Sequence, residues 1–208
     1  MKIKENVYLL DSTTGSYAYL IVGEEPILID TGYPGRSKKI IEEISRLGIK
    51  HRDIAHILLT HHDVDHIGNA KVLQLETGAQ LWASKDDLPY IQGERNREGI
   101  KRIVQAIIRV DTPRVDSTFT AGQKIGSVEI IPTPGHTPGH VSFLYEDVLF
   151  VGDLVRTKKG KIKRFPSFST WNKAISEISL QQIKSFDFEW ICPAHGEPIR
   201  GRDLWEAL

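Results

Sequence analysis

The chain reads as an α/β fold, two sheets with helices outside them, and three observations predict it. Strand-like and helix-like periods alternate along its whole length. Apolar runs end again and again in histidine or aspartate beside a Gly or Pro turn: Ile54–Leu59 before His61, Val148–Val151 before Asp153, Trp190–Ala194 before His195, and the strand-like segment leading to Pro134-Gly135-His136. The 208 residues suffice for one sizeable core, so a single domain over 1–208 is expected.

Taken in order, Asn6–Leu10, Ala18–Val22 and Pro26–Asp30 read as strands, the last opening into Thr31-Gly32-Tyr33-Pro34-Gly35. Arg36–Leu47 places Ile40, Ile41, Ile44 and Leu47 at helical spacing and stops at Gly48. The strand Ile54–Leu59 follows, then a short helix at Asn69–Thr77 and a strand at Gln80–Ala83. Residues from about 84 to 117 are more charged and read as a helical insert. Within it, Gly99–Val110 carries Ile100, Ile103, Val104, Ile107 and Ile108 on one face, with Lys101, Arg102, Gln105 and Arg109 outside that face. Core packing is the first reading of that face; a pocket lid and a homodimer contact are the alternatives. Strands return at Val128–Ile131, Val141–Tyr145 and Val148–Val151. Thr170–Phe186 reads as a helix, Glu189–Cys192 as a strand and Gly201–Leu208 as a short helix.

Lys plus Arg equals Asp plus Glu at 27 each, so no global field attracts nucleic acid or an anionic membrane. The basic run Arg156–Arg164 therefore reads as a solvated loop rather than a nucleic-acid surface. The single cysteine, Cys192, excludes an internal disulfide and fits a reducing, cytoplasmic setting. It lies in an apolar strand and reads as a small hydrophobe. The apolar stretch Val7–Leu10 is too short for a signal or membrane segment.

Residues 60–68 read Thr-His-His-Asp-Val-Asp-His-Ile-Gly. Three imidazoles and two carboxylates in six positions oppose one another unless a cation sits among them, which points to a metal. In an extended loop side chains alternate, so His61, Asp63 and Asp65 share one side, and His62 and Val64 the other. His66 joins the first set as the chain turns into the next helix. His62 reads as a flanking residue that supports the ligands. All histidines other than His51 and His56 fall at these strand ends.

These motifs resemble those of the metallo-β-lactamase fold hydrolases, in the glyoxalase II-like and lactonase-like branch. The run at 60–68 is similar to that superfamily's His-x-His-x-Asp-His metal motif. Leu28-Ile29-Asp30-Thr31-Gly32, Gly135-His136-Thr137-Pro138-Gly139, Gly152-Asp153 and Ala194-His195-Gly196-Glu197-Pro198 match the remaining motifs in order. The resemblance implies a four-layer αββα sandwich with its site along one edge. It implies a first metal at His61, Asp63 and His136, a second at Asp65, His66 and His195, and Asp153 bridging them. Asp30 resembles the strand-end aspartate that orients the ligand loop, and His140 is expected beside the ligands rather than among them.

The departure is Asp63, where the superfamily usually has histidine. Two divalent ions would be balanced by three carboxylates and a bridging hydroxide. The oxygen-richer shell lowers the pKa of bound water less and favours Mn or Fe alongside Zn. A single-metal centre is the alternative if Asp63 abolishes the first site.

The implied activity is a hydrolase that uses a metal-bridging hydroxide on a carboxylic ester-type bond, a thioester or a lactone, in a small-molecule substrate. Asp65 is expected as a ligand and, as the catalytic residue, as a proton acceptor. A phosphodiesterase or nuclease of the same fold, and a non-catalytic metal-binding module, are the other readings.

Overall fold

The computed structural model describes residues 1–208. The first sheet has seven strands in sequential order: β1 (Lys2–Lys4), β2 (Val7–Leu9), β3 (Tyr19–Ile21), β4 (Ile27–Ile29), β5 (His56–Leu58), β6 (Gln80–Ala83) and β7 (Ser117–Thr118). The second holds β8 (Lys124–Ile125), β9 (Val128–Pro132), β10 (Val141–Tyr145) and β11 (Val148–Gly152). It continues, after a separate hairpin of β12 (Val155–Lys158) and β13 (Lys161–Arg164), with β14 (Trp190–Pro193) and β15 (Ile199–Arg200). The helices are α1 (Ser37–Arg46), α2 (Ala70–Thr77), α3 (Leu88–Ile91), α4 (Ile100–Ile107), α5 (Lys173–Ile183) and α6 (Asp203–Glu206).

Period-two alternation sorts the apolar side chains into three layers. Ile27 and Ile29 of β4 and Val148 and Phe150 of β11 point between the sheets and build the central core with Tyr19, Leu58, Phe143 and Cys192. Leu28, Ile57 and Leu81 point the other way, against Ile40 and Ile44 of α1 and Leu73 of α2. Leu149, Val151 and Ile191 do the same on the opposite side, against Leu180 and Ile183 of α5 and Trp205 of α6. The result is a four-layer αββα sandwich.

Strand direction puts the chemistry at one edge. β4, β5, β6 and β7 are parallel to one another, and β11 is parallel to β14. β9 and β11 are each antiparallel to β10 and so run the same way. Residues that follow β4, β5, β9, β11 and β14 therefore emerge together, the usual place for a site in such sheets.

The structure corrects two expectations. Residues 156–164 are no loop but form most of the β12–β13 hairpin, where Thr157 and Ile162 are buried and the lysines and arginines exposed. Its strict alternation is a strand signal that the charge run obscures. The apolar face of α4 is not core: no residue of α4 is buried, and Ile103 and Ile107 are 57% and 76% exposed. The helix leans with its Ile100–Val104 edge over the cavity above the donor groups, and Lys101 turns inward to Asp63 rather than out.

The turn from β11 into Asp153 is close to the limit of what a chain can do. Gly152 has φ +48°, and a Cβ there would lie 2.8 Å from His140 Nε2 and 2.9 Å from Thr60 Cβ. Gly152→Ala is expected to destabilise the protein by about 1–3 kcal/mol from backbone strain alone, with the contacts adding to it. Denaturant unfolding of the variant checks this; an unchanged midpoint contradicts the assigned geometry.

Candidate metal centre

Asp30 ends β4 with φ 56°, a conformation a non-glycine residue holds only when its surroundings fix it. Its Oδ1 accepts from Thr60 N–H at 2.8 Å and its Oδ2 from the Thr60 hydroxyl at 2.7 Å. Its Oδ2 also sits 2.8 Å from His66 Nδ1, which fixes the ring with Nε2 turned to the site. This carboxylate couples the end of β4 to the loop after β5. Residues 63–66 then form a turn, with His66 N–H donating to Asp63 O at 2.9 Å, so Asp65 and His66 face one way while His61 and Asp63 face another.

Seven donors converge in two groups. His61, Asp63, His136 and Asp153 place one ligand atom each within 4.8 Å of one another, as do Asp65, His66 and His195. In the first group His136 Nε2 lies 3.0 Å from Asp63 Oδ2 and 3.3 Å from Asp153 Oδ2, and His61 Nε2 lies 3.4 Å from Asp63 Oδ2. In the second, His195 Nε2 lies 3.2 Å from Asp65 Oδ2. Asp153 joins the two, its Oδ1 lying 3.4 Å from both His66 Nε2 and His195 Nε2.

These donors fit divalent metals on two observations. Donor atoms held about 2.1 Å from a tetrahedral ion are roughly 3.4 Å apart, which is the spacing found. His61 Nε2, Asp63 Oδ1 and Asp153 Oδ1 are buried and hydrogen-bond to nothing in the chain, an expensive condition unless a cation satisfies them. The charge balance agrees. Burial opposes the protonated form of His195, yet Asp153 and Asp65 outweigh it and push its pKa up to about 10. Burial likewise opposes protonation of His66, and Asp30, Asp153 and Asp65 again win, holding it well above the usual range. The carboxylates demand positive charge, which a divalent ion supplies in place of protons.

The supporting residues are His140, His62 and one that sequence reasoning missed. His140 Nε2 accepts from Asp153 N–H at 3.1 Å, and burial pushes its pKa down to about 3, so it stays a neutral acceptor. His62 stacks on Tyr90 with ring centroids 4.4 Å apart, its Nδ1 3.1 Å from Asp87 Oδ2. Asp87 is fully buried and ties the two ligand loops together. It accepts from His62 N–H at 3.0 Å, Thr137 hydroxyl at 2.8 Å and Gly139 N–H at 2.8 Å. It lies four residues past the end of β6, in the loop that leaves the site edge, and that placement is the signal that could have found it. Lys101 and Arg97, also missed, stand against the first group: Lys101 Nζ is 2.7 Å from Asp63 Oδ2, and Arg97 Nε donates to His62 O at 3.1 Å.

A cavity of about 270 Å³ opens over both groups, with Asp65, Lys101 and Arg97 beside Ile100, Val104 and Phe168 in its wall. No helix is long and apolar enough to cross a membrane.

Comparison with known proteins agrees with this geometry. The Metallo-beta-lactamase superfamily profile matches residues 12–195. YobT of Bacillus subtilis, itself uncharacterised, is 34% identical over 88% of this chain and 83% of its own. The hydroxyacylglutathione hydrolase GloC of Haemophilus influenzae is 30% identical over 81% of this chain and 79% of its own. Among solved structures, TTHA1623 in a di-iron-bound form superimposes with a TM-score of 0.71 at 25% identity, covering 89% of each chain. A metallo-β-lactamase of Cronobacter sakazakii shares the fold with a TM-score of 0.74 at 21% identity, over 93% of this chain and 79% of that one.

Asp87 gives a pH-dependent test. Burial raises a carboxyl pKa, but His62, Thr137 and Gly139 outweigh it and hold Asp87 below the ordinary value. A carboxylate depressed in the folded state contributes stability that is full above its unfolded pKa, about 4, and is lost as pH falls through the folded value. Denaturation midpoints measured from pH 7 to pH 3 are expected to fall on the acid side in the wild type and to fall less steeply in Asp87→Asn. Identical acid limbs would contradict the assignment.

Proposed function

The chain belongs to the metallo-β-lactamase superfamily and is a metal-dependent hydrolase, and on that premise we propose that it cleaves a carboxylic ester-type bond, a thioester or a lactone, in a small-molecule substrate. The observation that carries this reading is the pairing of two donor groups through Asp153 beneath a cavity whose wall is partly apolar. His61, Asp63, His136 and Asp153 would hold one ion, and Asp65, His66 and His195, with the other oxygen of Asp153, a second. Bound there, two divalent ions of Zn, Mn or Fe supply a water-derived nucleophile at neutral pH and Lewis acidity toward the substrate oxygen.

The chain's own residues do the rest. Asp30 fixes the tautomer of His66, and His140 fixes the backbone that carries Asp153. Asp65 lines the cavity and is the best-placed carboxylate to accept the proton that the attacking water loses. Ile100 and Val104 on one side and Phe165 and Phe168 on another exclude water from the acyl part of the substrate. That apolar wall favours carbonyl chemistry over phosphodiester chemistry, as does the similarity to GloC, a hydroxyacylglutathione hydrolase.

Two outcomes test this. Protein loaded with Mn²⁺, Fe²⁺ or Zn²⁺ is expected to hydrolyse thioesters or lactones and to lose that activity to a chelator; cleavage of phosphodiesters alone would overturn the reading. Asp65→Asn is expected to lower kcat by about 10²-fold or more while metal analysis finds both ions retained. Full activity in that loaded variant would remove the proton-accepting role.

A further inference from the structure

Arg97 is an unusual buried charge. It is 5% exposed, and its guanidinium donates to a single acceptor, the carbonyl of His62, from Nε and Nη2. No carboxylate pairs with it, and Nη1 hydrogen-bonds to nothing in the chain while the side chain lines the cavity. Burying a cation is costly, and Asp63, Asp87 and Asp65 offset that cost only through space, without a direct ion pair, which leaves the guanidinium able to take an anion from the cavity it lines. Four residues on, Lys101 faces the same cavity, its Nζ 2.7 Å from Asp63 Oδ2 and 2.9 Å from His136 Nε2.

The charge at the donor groups sharpens the point. Asp63 is a carboxylate where the superfamily usually has an imidazole, so two divalent ions with three carboxylates and one hydroxide are formally neutral. Arg97 and Lys101, both contributed by the segment between β6 and β7, bring positive charge to the cavity wall, Arg97 beside the carbonyl of His62 and Lys101 at the edge of the first donor group, against Asp63. Around them the wall is apolar: Ile100 and Val104 share one edge of α4, and Phe165 and Phe168 lie in the stretch after β13.

We propose that the substrate is an amphiphilic anion. It is an ester or thioester with an apolar chain against Ile100, Val104, Phe165 and Phe168, and a carboxylate or phosphate group at Arg97 and Lys101. A guanidinium fork and an ammonium recognise such oxygens by charge-assisted hydrogen bonds. The proposal rests on the carbonyl-hydrolase reading above. The anion can belong to the acyl chain or to the leaving group, and the test separates the two.

The experiment compares thioesters of one acyl length in the metal-loaded protein: a neutral one, one with a carboxylate on the acyl end, and one with a carboxylate on the thiol. One of the anionic compounds is expected to exceed the neutral one by about ten-fold or more in kcat/KM, mainly through KM. Lys101→Gln is expected to erase most of that preference and Lys101→Arg to restore it, while Lys159→Gln, an equal charge loss on the β12–β13 turn, leaves it intact. Calorimetry supplies a readout independent of turnover: the free acid of the preferred arm should bind Lys101→Gln about ten-fold more weakly than the wild type. Equal turnover of neutral and anionic thioesters, or a preference that survives Lys101→Gln, would overturn the proposal. If no carbonyl compound is cleaved, the function reading fails instead, and calorimetry still decides whether the pocket takes anions.

Discussion

The Asp153 carboxylate is the constraint around which the rest is arranged. One oxygen faces His61 and His136, the other His66 and His195, so a single side chain defines the spacing between two donor groups delivered by different loops. Its position is determined on three sides. The parallel pairing of β11 with β14 sets where the strand ends, Gly152 makes a turn that leaves no room for a Cβ, and His140 accepts from the Asp153 amide. Coordination geometry tolerates errors of only a few tenths of an ångström, which is why a site like this rests on strand ends rather than on long free loops.

Electrostatics explains why the surrounding shell is built as it is. Three carboxylates in one buried space repel one another, and only cations make the arrangement stable. Asp30 and Asp87 stand outside them and act on geometry, one through His66 and Thr60, the other through His62, Thr137 and Gly139. Asp63 faces the opposite requirement, and Lys101 meets it directly. The segment between β6 and β7 places Arg97, Ile100, Lys101 and Val104 in the wall of the cavity.

Much of this was legible in the amino-acid sequence, because strand periodicity and strand-end residues are local signals. Apolar runs of strand length mark β4, β9, β10 and β11, strands packed on both faces, and a His or Asp after such a run marks the site edge. Asp30 hydrogen-bonds to His66 and His140 to the Asp153 amide, and the seven donors lie in the two groups that the family resemblance implies. Alternation along an extended loop puts Asp65 beside His61 and Asp63; the turn at residues 63–66 separates it from them. What was not legible depends on contacts between distant segments. Helical period shows that α4 has an apolar face but not what covers it, and Ile103 and Ile107 turn out exposed while Lys101 turns inward. Arg97 lies in an aperiodic, charged stretch where nothing local distinguishes a structural charge from a solvated one. The β12–β13 hairpin was hidden by its own lysines, which lie on the solvent side of a strand alternation.

Crystallography of the metal-loaded protein with anomalous scattering tests the central claim most directly. The account predicts two peaks about 3.5–4 Å apart, one at bonding distance from Asp153 Oδ2, His61, Asp63 and His136, the other from Asp153 Oδ1, Asp65, His66 and His195. A single peak at full metal loading, or two peaks that do not share Asp153, would contradict it.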